Sequence, residues 1–177
     1  HLIWCGLVTF ACNRPDLAAT KLRFFPISRD KYPTLNLPPV HLRASRGRGS
    51  TYIWDGLRGS WLLLTPEEWV RRHVIGWLTG HLRLSPTSIV QEYPLAIGGT
   101  TQRADIVVLR PDMKAALLVE CKAADVTINA DVLNQAVRYN FIVRAPFIML
   151  TNGMRHYFYS TEDCVTYTPL DTLPDIA

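Results

Sequence analysis

The sequence predicts an α/β domain with a mixed central sheet flanked by helices, in the core order helix, three strands, helix, strand. Three observations lead there. Two segments carry helix-start chemistry, at Thr65-Pro66-Glu67-Glu68 and at Asn129. Apolar and β-branched runs of strand length occur at 89–97, 101–109, 115–123 and 147–150, each bounded by turn residues. Their order along the chain puts three strands between the two helices and one after the second.

Residues 21–63 are rich in Pro, Arg and Gly, and prolines at 33, 38 and 39 argue against helix. The apolar piece Leu22–Ile27 is short. Tyr52–Asp55 and Trp61–Leu64 read as short strands leading to the first helix. Arg43, Arg46, Arg48 and Arg58 cluster around a Gly/Ser-rich segment, which reads either as a mobile basic loop or as an arm that contacts phosphates.

In the first helix Thr65 is the cap, Pro66 occupies the first helical position and Glu68 follows three residues after the cap. The helix is expected to run to Leu82. On a helical wheel Trp69, Val70, His73, Val74, Trp77 and Leu78 share one face. Glu67 lies at the edge of that face. Glu68 falls nearly opposite, where the role of capping-box acid accounts for it. His73 reads as a histidine at the core edge.

Ile89–Ile97 is the first central strand, and Gly98-Gly99 turns it tightly into residues 101–109. The next two strands contain the chemistry. Ala104–Leu109 and Ala115–Val119 flank Arg110-Pro111-Asp112-Met113-Lys114, a hairpin pattern. A turn centred between Asp112 and Met113 pairs residues whose numbers sum to 225, which puts Asp105 opposite Glu120. Opposed residues have Cβ atoms roughly 4.5–5.5 Å apart. Strand alternation then brings Lys122 to the side of Glu120 and turns Cys121 away.

Two carboxylates at that separation repel unless a cation lies between them or one is protonated. Mg²⁺ suits oxygen ligands of this kind and usually keeps waters and substrate oxygens in its other positions. A neighbouring ammonium can orient a water and stabilise developing negative charge. Metal-assisted phosphodiester hydrolysis is the chemistry these residues invite. The same residues also allow plain ion pairing, of Asp105 with Arg103 and of Glu120 with Lys122.

Asn129 caps a second helix over about 130–143 with an apolar stripe of Val132, Ala136, Tyr139 and Val143. Gln135 and Tyr139 stand one turn apart, as neighbours. Phe147–Leu150 is a buried strand ended by Thr151-Asn152-Gly153, Arg155–Ser160 alternates like a further strand, and 161–177 is an irregular tail.

Asp105 with Glu120-Cys121-Lys122 resembles the core motif of the PD-(D/E)xK nuclease superfamily. Leu64–Arg71, Arg103–Val108, Leu118–Ala123 and Thr151-Asn152-Gly153 resemble, in order, the amino-terminal nuclease domain of type I restriction endonuclease R subunits. The likeness runs from about Lys21 to Tyr159. It implies a restriction-endonuclease-like core and a Mg²⁺-dependent DNA endonuclease, with Mn²⁺ as a possible substitute. Asp105 and Glu120 would hold the metal, Lys122 would serve the attacking water, and Glu67 would be a first-helix acid near the metal. Gln135 and Tyr139 resemble the family's Gln-x-x-x-Tyr pair, implying contact with DNA.

Composition is compatible with that class. Of 177 residues 48% are hydrophobic and 19% charged, enough for one domain with a substantial core over 21–160. A net charge of +4 favours an anionic partner. Cys5, Cys12, Cys121 and Cys164 show neither paired nor zinc-like spacing, which suits free thiols in the cytoplasm. No apolar run is long enough to span a membrane, and His1–Ala11 lacks the flanks of a secretory signal. The chain starts at His1 rather than Met, and 1–20 is read as a separate extension. No Gly-x4-Gly-Lys-Ser/Thr phosphate loop is present. R subunits join an ATP-driven motor to their nuclease domain, so the resemblance implies a motor or specificity subunit as partner. A nucleic-acid-binding or docking module that keeps the fold without cleaving is the alternative.

Overall fold

A computed structural model describes residues 8–10, 31–47 and 49–176. The readings at Cys5, Cys12, Leu22–Ile27 and Arg48, and most of the 1–20 extension, lie outside these residues. In chain order the elements are β1 (Val8–Phe10), β2 (Leu42–Gly47), β3 (Ser50–Asp55), β4 (Ser60–Leu63), α1 (Pro66–Gly80), β5 (Ile89–Ile97), β6 (Thr100–Leu109), β7 (Ala115–Cys121), α2 (Ala130–Val143), β8 (Phe147–Thr151), β9 (His156–Ser160) and β10 (Thr168–Leu170).

A six-stranded sheet runs in the order β10-β9-β8-β7-β6-β5. It is mixed, with β7 and β8 parallel and the other pairs antiparallel. A parallel pair needs a crossover, and α2 supplies it. Every residue of β7 is buried, as a central strand covered on both faces requires. On one face Val70, Val74 and Leu78 of α1 pack with Ile106, Val108, Leu117 and Val119. On the other, Val132, Ala136 and Tyr139 of α2 pack with Val107, Leu118, Ile148 and Leu150. The period-two pattern of the three strands thus sorts the core into two halves.

Central-strand expectations hold closely. β5 spans the predicted residues, and Gly98 and Gly99 take positive φ of 57° and 78°, as a tight primed turn demands. β6 and β7 pair as Ile106–Val119, Val107–Leu118 and Val108–Leu117, the counted register. A bulge between Val108 and Leu109, with Met113 at φ 64°, absorbs the odd residue of the turn. α2 matches its expected span, and Asn129 Oδ1 accepts from the amides of Asp131 (3.1 Å) and Val132 (3.2 Å).

Three expectations need correction. Part of the basic segment is strand and not loop: Leu42–Gly47, which carries Arg43 and Arg46, is a strand, Gly47 and Ser50 close a hairpin onto β3, and Arg58 lies in the turn between β3 and β4. Leu42 and Ala44 are buried while Arg43 lies outside over the rings of Trp54 and Trp61, 5.3 and 5.9 Å from their centroids. α1 stops at Gly80, short of Leu82, where the amides of His81 and Leu82 both donate to Trp77 O (2.9 and 3.0 Å). The tail is irregular except for β10, which pairs with β9. The remaining sheet has the order β1-β2-β3-β4, and its Leu42 and Ile53 close against the α1 side of the core. α1 is therefore covered from two directions.

Candidate active site

The β6–β7 ladder ends at Ile106–Val119. Past it, the amide of Cys121, two residues beyond Val119, donates to Oδ2 of Asp105 at 2.7 Å. Asp105 thereby holds the two strands together where their backbones part, and its carboxylate sits between them. Oδ1 accepts from Arg71 Nη2 at 2.7 Å. The ion partner of Asp105 is thus Arg71 of α1 and not Arg103, which instead pairs with Glu92 at 3.2 Å.

Glu120 is buried at the carboxyl end of β7. Its Oε1 accepts from Lys122 Nζ at 2.8 Å and from Gln135 Nε2 at 2.7 Å. Its Oε2 is buried and receives no hydrogen bond from any described residue. Gln135 ties the group together, because its Oε1 accepts from Lys122 (3.2 Å) and its Nε2 also reaches the Tyr139 hydroxyl (3.2 Å). Glu67 is half exposed and touches Arg71 Nη2 at 3.2 Å. The structure therefore brings Asp105, Glu120, Lys122, Gln135 and Tyr139 into one neighbourhood, with Glu67 on its rim through Arg71.

The electrostatics of the cluster are set by burial and by the closeness of its acids. Burial, and then the nearby Asp105 charge, pushes the Glu120 carboxyl up to about 7. Burial and Asp105 also raise Glu67. For Lys122 burial acts to lower the pKa, but the hydrogen bond to Glu120 and the charges of Glu120, Asp105 and Glu67 raise it overall. Burial first, and the neighbouring carboxylates second, thus disfavour the ionised forms of Glu120 and Glu67. A carboxylate oxygen buried without a donor is costly as an anion, and a divalent cation beside it would remove that cost. Among the described residues no group of three or more His, Cys, Asp or Glu side chains is arranged to hold a metal unaided. A cation here would use Asp105 and Glu120, with water or substrate oxygens completing its shell. The residues present fit Mg²⁺ in that form.

Two groups read as bystanders remain so. His73 Nδ1 contacts Trp69 O at 2.8 Å, the rings lie 4.3 Å apart, and burial lowers the imidazole pKa. Cys121 and Cys164 are free and buried, and burial raises the Cys121 thiol well above its usual value.

Glu68 is the substantive correction. The Thr65 hydroxyl does accept the Glu68 amide at 3.0 Å, so the cap exists. The carboxylate, however, is buried between Arg71 (3.0 Å) and Arg72 (2.6 Å). The Arg72 contact is an ion pair by distance and not a directed hydrogen bond, since neither atom finds hydrogen-bond geometry. Arg72 also meets the fully buried Asp55 at 2.7 Å, and Gln91 Nε2 donates to both Asp55 oxygens. A helical wheel assigns this face to solvent, but the second sheet covers it. Glu67-to-Arg71 and Glu68-to-Arg72, two acid–arginine pairs at i,i+4, were the available signal.

Fold and site together define an α/β domain with an acid–lysine cluster at the carboxyl end of its central strand. The model of the family described as type I restriction enzyme R protein N terminus (HSDR_N) matches residues 66–174. The chain belongs to that family. The match begins at the first residue of α1 and includes every strand of the six-stranded sheet. The chain matches none of the curated proteins and none of the solved structures.

Proposed function

We propose that the chain is a Mg²⁺-dependent DNA endonuclease with a PD-(D/E)xK core, the nuclease module of a type I-like restriction system. The observation that carries this reading is the buried Oε2 of Glu120, which has no donor among the described residues and lies in the cluster with Asp105 and Lys122. Family membership supports the restriction context.

Asp105 and Glu120 are the residues that would hold the metal, which when bound supplies Lewis-acid stabilisation of charge on a phosphoryl oxygen. Lys122, fixed by Glu120 and Gln135, orients the attacking water and offsets negative charge as it develops. Gln135 keeps Glu120 and Lys122 in register and, with Tyr139, faces the DNA backbone. Glu67 assists through a bound water. A motor or specificity subunit acts with the chain on DNA in the cytoplasm. Among the described residues no helix is long and apolar enough to cross a membrane.

One observation favours a second reading. Both oxygens of Asp105 already have partners, Arg71 and the Cys121 amide, as in a fold kept for binding alone. Incubation with supercoiled plasmid in Mg²⁺, Mn²⁺ or EDTA, beside Lys122→Ala and Asp105→Ala, separates the two. Metal-dependent nicking lost in both variants is the expected result. Nicking that survives in both removes this site from the reaction. DNA retention in EDTA that weakens steeply with salt, without nicking even when the motor subunit is added, supports the binding module.

A further inference from the structure

Arg71 is a cation already in place among the acids of the candidate site. Among the described residues its buried side chain touches four carboxylates, and the two ends of the guanidinium divide them. Nη1 is anchored on Glu68 (3.0 Å) and Glu92 (3.3 Å), which belong to the scaffold. Nη2 reaches Asp105 (2.7 Å), which the nuclease reading assigns to the metal, and Glu67 (3.2 Å), which that reading places beside it. A planar fork can serve two such pairs at once, which a lysine ammonium cannot do. Arg72, the next residue, is equally buried but pairs with Asp55 and Glu68.

We infer that Arg71 is a resident counter-cation with which a divalent metal competes for Asp105, so that this arginine sets the metal affinity of the site. The inference rests on the metal-dependent reading above. Without metal, Asp105, Glu67 and Glu120 repel one another, and Arg71 makes their proximity tolerable to the fold. With metal, the same guanidinium shares Oδ1 of Asp105 and repels the incoming cation. Arg71 therefore positions Asp105 and weakens the metal site, and it need not touch substrate.

Calorimetric titration of Mg²⁺ into the purified chain tests this, with folding of each variant checked by circular dichroism. Arg71→Gln is expected to bind Mg²⁺ on the order of tenfold more tightly, because a like charge beside the site is gone. Arg71→Lys, which keeps the charge, and Arg72→Gln, which removes an equally buried cation elsewhere, should stay near wild type. If Arg71→Gln does not fold, Glu68→Gln/Arg71→Gln removes one acid with the base and carries the same expectation. Binding that is lost in Glu120→Gln but unchanged or weaker in Arg71→Gln, or in Glu68→Gln/Arg71→Gln where that variant stands in for it, overturns the competition and leaves the metal site standing. No Mg²⁺ binding by any variant overturns both.

Discussion

Replacing Glu120 with Gln should make the protein more stable at alkaline pH, the opposite of what losing a hydrogen-bonded side chain usually does. In the folded chain this carboxyl is displaced from an ordinary value of 4.5 to about 7, first by burial and then by Asp105. Between those two values the folded chain keeps a proton that the unfolded chain has released. Stability must then fall as pH rises through that window. A displacement from 4.5 to about 7, at about 1.4 kcal/mol per pH unit, sets the loss at about 3 kcal/mol. Gln keeps an oxygen that can accept from Lys122 and Gln135 but cannot ionise. Glu67 and Glu68 are displaced in the same direction as Glu120 and His73 in the opposite one, so the useful quantity is the difference between wild type and variant. Urea unfolding followed by tryptophan fluorescence, in EDTA at pH 5, 6, 7 and 8, measures it. Relative to wild type, Glu120→Gln should gain about 2–3 kcal/mol between pH 5 and 8. Saturating Mg²⁺ at pH 8 should then stabilise wild type and leave the variant unmoved. A gap that stays constant across the range would refute the electrostatic picture of Glu120.

Two further substitutions address the frame around the site. Asn140 is fully buried, accepts the Ala145 amide at 2.9 Å, donates to Ala145 O at 2.8 Å, and so closes the turn in which Arg144 takes φ 58°. Asn140→Ala strands both backbone groups and should cost about 2–3 kcal/mol in equilibrium denaturation; a loss within about 0.5 kcal/mol would mean that water replaces the side chain. Gly153 has φ +79°, and a Cβ there would lie 2.8 and 2.9 Å from the Leu35 methyl carbons. Gly153→Ala should therefore lower the thermal midpoint by several degrees, from about 1–3 kcal/mol of combined strain and crowding. An unchanged midpoint would show that Leu35 and the turn can shift together.

Much of the fold is written locally. The β6–β7 register follows from counting out from one turn, because side-chain period two leaves little freedom when both faces are buried. Thr65 and Asn129 mark where the helices begin because an orphan amide needs an acceptor within three residues. The juxtaposition of Asp105, Glu120 and Lys122 follows from that register, and the turn spacing of Gln135 and Tyr139 follows from helix geometry. Lys122 and Gln135 meeting on one oxygen of Glu120 does not, since it depends on how α2 crosses β7 and β8. Tertiary structure alone decided the rest. Arg71, Arg72 and Glu68 look solvent-facing on a single helix because amphipathic patterns score each side chain by its own polarity. They are buried because each charge meets an opposite one in the packed structure: Arg71 meets Asp105 and Glu92 of the six-stranded sheet, Arg72 meets Asp55 of the second sheet, and Glu68 lies between the two arginines. Burial of that kind belongs to pairs of residues distant in the chain, such as Arg72 with Asp55 and Arg71 with Asp105. No local period records such a pair, and packing is what brings its members together.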